Sequence, residues 1–103
     1  MKPYYSEYVA HCLRYYIKTL DEGKGGHPIF KSEADKTNWI ACHVVLKNYS
    51  EDDMELISYI YRPGDTLADK IYTLAKTKDV HQDTIWSLVN TLERRVAKRR
   101  GLI

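Results

Sequence analysis

The sequence predicts an all-α fold of about five helices, with a C-terminal helix-turn-helix unit packed on two longer N-terminal helices. Three observations predict it. Apolar residues recur at steps of three and four along most of the chain, the spacing of one helix face. Glycine and proline gather in short breaks, Gly23–Phe30 and Arg62–Asp65, rather than inside the periodic stretches. Ser32, Ser50 and Thr66 stand where helix starts need a side-chain oxygen.

The first helix is expected over 3–22. Pro3 suits a helix start, because its missing N–H costs nothing there. Tyr5, Val9, Cys12, Tyr16 and Leu20 form its apolar stripe, and Gly23 ends it. The glycine-rich stretch after it reads as a connector. It is too short for a phosphate-binding loop and lacks the Ser or Thr that should follow the lysine.

The second helix is expected over 32–49, capped by Ser32 with Asp35 three residues on. Its inner face is Trp39, Cys42, His43, Leu46 and Tyr49, flanked by Ile40 and Val44. The third covers 51–61. Ser50 caps it, and Glu51, Asp52 and Asp53 set negative charge against the positive end of the helix dipole. Met54, Leu56, Ile57, Ile60 and Tyr61 face inward. The fourth runs over 66–77 with Leu67, Ile71, Leu74 and Ala75 inside. The fifth runs over 82–99 with Ile85, Leu88, Val89, Leu92 and Val96 inside, and Gly101 ends it.

Composition bounds the function. A length of 103 residues fits one domain, a helical pair over 1–49 followed by a helix-turn-helix unit over 50–103. Nine tyrosines against one phenylalanine suit a small fold whose core lies close to water. No apolar run is long enough for a signal peptide or a membrane span, so the expected location is cytoplasmic. Cys12 and Cys42 show no disulfide or zinc spacing. His11-Cys12 and Cys42-His43 are neighbours pointing about 100° apart on a helix, a poor start for a tetrahedral site. No cofactor, metal or enzyme motif stands out. The net charge is only +2, but residues 50–80 hold seven acids against four bases, while all five bases of residues 81–103 fall between Arg94 and Arg100.

The last third carries the functional expectation. A compact helix-turn-helix needs a small residue where its helices cross, a turn residue tolerant of positive φ, and a shared apolar face. Ala75 supplies the first and Asp79 the second. Ile71, Leu74, Val80, Ile85 and Leu88 supply the third, with Val80 as the first buried residue after the turn. The run from Ile71 to Ile85 resembles the helix-turn-helix of bacterial sigma factor region 4, with the helix after Ser50 as its lead-in. The resemblance covers residues 50–100, and the whole chain is similar to small proteins of prophages and mobile elements in Gram-positive bacteria. The sequence departs from the pattern at Lys78, where an apolar residue is common, at Asp79, where Gly is usual, and at His81, a usual Ser or Thr cap.

The resemblance implies DNA binding in transcriptional control, with the fifth helix reading the major groove. The expected outward face is Gln82, Asp83, Trp86, Ser87 and Asn90, since Gln and Asn pair with adenine and Ser bonds either base type. Lys76, Lys78 and His81 are the expected backbone contacts near the turn. Arg94, Arg95 and Lys98, with Arg99 and Arg100, are further phosphate contacts. The competing expectation is a helical interaction module without DNA, meeting RNA polymerase or a second copy of itself, with Leu88, Leu92 and Val96 as a dimer seam. Trp86 would then pack inward or anchor a partner, and the basic cluster would reflect ordinary helix-end chemistry.

Overall fold

A computed structural model describes residues 3–22 and 30–103. It contains five helices: α1 (Ser6–Asp21), α2 (Glu33–Leu46), α3 (Glu51–Tyr61), α4 (Leu67–Lys78) and α5 (Gln82–Arg100). No strand occurs among the described residues, and none of their helices is long and apolar enough to cross a membrane. The 23–29 segment, expected as a connector, lies outside the described residues.

The caps explain most of the helix boundaries. Ser32 accepts the Asp35 N–H, Ser50 that of Asp53, and Thr66 that of Asp69, each at 3.1–3.2 Å. His81 caps α5 through Nδ1, which accepts from the Asp83 N–H at 3.1 Å. Two helices start or end short of expectation. Pro3 belongs to a turn closed by Ser6 N–H to Pro3 O, so α1 begins three residues later than expected. The Tyr49 N–H bonds Leu46 O, which turns the chain out of α2 and onto the Ser50 cap.

α1 packs on α2, α3 and α5, and α5 also meets α2 and α4. Three neighbours require a broad apolar arc on α1 rather than a single stripe. Val9, Cys12 and Tyr16 are buried as expected, but so are Ala10, Leu13 and Ile17. Leu20, expected inside, is 45% exposed at the margin of that arc. On α2 the outcome is similar. Trp39, Cys42 and Leu46 are buried with Asn38 and Ala41, while Ile40 is 42% exposed and His43 lies at the surface. His43 is still tied to the core edge. Its Nδ1 sits 2.9 Å from the Tyr16 hydroxyl, and its ring stacks on Trp39 at 4.9 Å.

Burial pushes the Cys12 thiol up to about 11 and the Cys42 thiol higher, so both stay protonated at neutral pH. Among the described residues, no three His, Cys, Asp or Glu side chains are grouped to hold a metal ion.

Candidate nucleic-acid interface

The α4–α5 turn is short and closed. Asp79 adopts φ 54°, ψ 48°, the left-handed conformation that the turn demands. The Val80 N–H then reaches back to Ala75 O at 3.0 Å and the Asp79 N–H to Lys76 O at 3.4 Å, which satisfies the last carbonyls of α4. Ile71, Leu74, Ala75 and Ile85 are buried beneath the turn. Val80 is not. It is 42% exposed and lines a cleft with Leu56, Ile85 and the half-buried Leu88. The fold-back that closes α4 ties down its backbone and leaves its side chain outside.

The orientation of α5 differs from the sequence expectation. Its buried residues are the expected Ile85, Val89, Leu92 and Val96 together with Glu93 and Ala97, which extend a second line from Val89, while Leu88, expected inside, is only half-buried. That second line, at steps of four, turns the helix so that Gln82 and Trp86 move to the edge of the buried arc. Both are half-buried. Trp86 packs against the core and shares a cleft of about 520 Å³ with Pro3, Tyr5, Ser6 and Leu67. The outward strip is therefore Asp83, Thr84, Ser87, Asn90, Thr91, Arg94, Arg95 and Lys98, all exposed. Thr84 and Thr91 were absent from the expected face. A wheel drawn with both inward lines, 85–92–96 and 89–93–97, would have found them.

Glu93 gives the strip its electrostatic character. It is only 4% exposed. Its carboxylate accepts from Ser6 Oγ of α1 at 2.6 Å and from Tyr61 Oη of α3 at 2.8 Å. Burial, then the Glu93 charge and hydrogen bond, hold the Tyr61 phenol far above its ordinary range, so it remains a donor. Sequence reasoning passed over Glu93. Its signal was a charged residue in register with Val89 and Ala97. With Glu93 drawn inward, α5 exposes no side-chain carboxylate beyond Asp83.

The cations divide into distinct roles. Arg94, Lys98 and Arg99 are exposed. Arg95 Nη1 donates to the Tyr49 hydroxyl at 3.2 Å, and its guanidinium lies 5.6 Å from that ring centroid. Arg100 turns inward and donates from Nε to Asn38 Oδ1 at 2.6 Å, which ties it to α2. Near the turn, Lys76 sits over the Tyr72 ring at 4.8 Å, Lys78 pairs with Glu55 at 3.5 Å, and His81 serves as the cap. Helix-end chemistry accounts for Lys98–Arg100. The dipole fades within one turn, so it does not account for Arg94 and Arg95.

An opposing feature flanks the strip. Asp52, Asp53 and Glu55 of α3 wall a cleft of about 720 Å³ whose floor is Leu56, Val80, Ile85 and Leu88. The far side of that cleft is the strip itself, through Thr84, Ser87, Thr91 and Arg95, and Lys78, paired with Glu55, also lines it. The α5 surface is thus cationic toward its C-terminal half and faces carboxylates toward its N-terminal half. No protein-family model matches the chain, and neither does any curated protein or solved structure.

Proposed function

We propose that the chain is a DNA-binding transcriptional regulator that uses α4–α5 as a helix-turn-helix, in keeping with its resemblance to sigma factor region 4 and to prophage and mobile-element proteins. The observation that carries this reading is the exposed strip of α5, polar and then cationic, free of side-chain carboxylates from Thr84 onward. Ser87, Asn90 and Thr91 offer donors and acceptors to base edges. Arg94, Arg95 and Lys98 neutralise phosphates, and Lys76 and Lys78 flank the turn. Trp86 and Gln82 support the strip from its inner edge.

Fluorescence anisotropy on duplex DNA at several salt concentrations tests this. Binding should weaken steeply with salt, and replacing Arg94, Arg95 and Lys98 together by Ala should flatten the log–log slope by about 0.9 per lost phosphate contact. Absence of binding to any duplex at low salt, including pools enriched from random sequence, sinks the reading.

A second reading has its own observation. The apolar cleft between α3 and α5, walled by Asp52, Asp53 and Glu55, repels phosphate and suits a protein partner. In that reading the chain is a helical interaction module that meets RNA polymerase or a second copy of itself. Sedimentation of the isolated chain and pull-down of purified polymerase separate those partners.

A further inference from the structure

We infer that α2 is part of the same nucleic-acid surface: its C-terminal end and the last turns of α5 form a cleft that straddles the phosphodiester backbone beside the groove. This rests on the DNA-binding reading above and extends its footprint to a helix outside the helix-turn-helix.

Helix α5 is longer than a groove is wide. The 19 residues of α5 span about 28 Å, whereas a major groove is about 12 Å wide. If the N-terminal half meets base edges, as in other helix-turn-helix units, the C-terminal half must emerge over the flanking backbone. A cleft of about 510 Å³ lies between the helices, lined by Val44, Val45 and Asn48 from the α2 side and by Arg95, Lys98 and Arg99 from α5. Three cations and one amide face it, and no carboxylate among the described residues lines it. That is the chemistry a phosphodiester requires.

Arg95 is also preorganised. The Tyr49 hydroxyl accepts from its Nη1 at 3.2 Å, which ties the guanidinium to the chain just past α2. Of the last carbonyls of α2, which oppose an anion, His43 O and Leu46 O accept from the Lys47 and Tyr49 N–H groups, and the three cations of α5 outweigh the rest. Asn48, just past the helix, is exposed and can donate its amide to a phosphate oxygen.

Two substitutions test the inference, one just past α2 and one in the last turn of α5. Asn48→Glu places a carboxylate in the cleft and should weaken duplex binding about fivefold at moderate salt. Arg99→Ala should lower the salt slope by about 0.9, one phosphate contact. Lys18→Ala, on the exposed face of α1, is the control and should change neither. Both test residues are exposed, so circular dichroism melts should match wild type. If both variants bind like wild type while the Arg94/Arg95/Lys98 variant is weakened, the α2 contact is overturned and the DNA reading stands. If the wild-type chain binds no duplex, both fall together.

Discussion

The seam between α1 and α2 and the junction of α5 with α1 and α3 bury polar groups in opposite ways. At the first, hydroxyls and aromatic rings bond one another at the core edge, beside the buried Asn38 amide. Tyr16 meets His43 at 2.9 Å, Trp39 Nε1 donates to Thr19 Oγ1 at 2.8 Å, and Thr19 returns its proton to Tyr16 O at 2.7 Å. At the second, the acidic side chain of Glu93 is buried and accepts from two hydroxyls, Ser6 Oγ at 2.6 Å and Tyr61 Oη at 2.8 Å. A network at the rim loses little when one member is removed, because water replaces it. A buried acidic group that loses its donors has no such substitute. The stronger constraint therefore lies beneath the candidate interface. The same residue that fastens α5 to the body also strips carboxylates from its outer face.

Breaking the junction should have the largest effect. Glu93→Ala removes the acceptor for Ser6 and Tyr61 and leaves a cavity, which should cost about 3 kcal/mol in urea unfolding. Glu93→Met combined with Tyr61→Phe removes the acceptor and one of its two donors together while keeping volume. It should recover part of that loss, because the buried Tyr61 hydroxyl is no longer left unpaired. A double variant no more stable than Glu93→Ala would show that the acidic group contributes more than the satisfaction of its neighbours. On the other side of the comparison, Tyr16→Phe keeps the buried ring, loses one part-buried bond to the surface residue His43 and should cost only about 1 kcal/mol. A loss as large as that of Glu93→Ala would erase the distinction between the two regions.

The same contrast separates what was legible in the sequence from what was not. Helix number and order were legible, because caps such as Ser32, Ser50 and Thr66 act through the nearest few residues. The left-handed turn at Asp79 was legible for the same reason. Rotation of a helix about its own axis was not, since it depends on how many neighbours the helix has. That is why Leu13 and Ile17 replaced Leu20 inside α1, and why Trp86 left the expected outer face of α5. Buried polar residues were missed because each is decided by a partner far along the chain. Glu93 meets Ser6 and Tyr61, Asn38 meets Tyr8 and Arg100, and the buried Lys70 ammonium donates to Arg62 O at the end of α3. In the candidate site, Ser87, Asn90, Arg94, Arg95 and Lys98 stand exposed, and Thr84 and Thr91 join them only once α5 is seen to bury two lines of residues.

The smallest expected effect concerns the turn. Asp79 is the one non-glycine residue with positive φ among those described. Holding an L-residue there costs about 1–2 kcal/mol, whereas glycine brings roughly 0.5–1 kcal/mol of extra chain entropy to be lost on folding. Asp79→Gly should therefore stabilise the protein by up to about 1 kcal/mol, a rise of about 4–8 °C in Tm. The Asp79 side chain is exposed, and the α4 cap uses its backbone N–H and that of Val80, so the turn geometry should survive. The substitution also removes a carboxylate beside the α5 N-terminus, so duplex affinity should hold or rise slightly at low salt. If stability falls instead, the Asp79 side chain supports the turn beyond its backbone. The difference between a locally determined turn and a remotely determined junction would then be smaller than the hydrogen bonds imply.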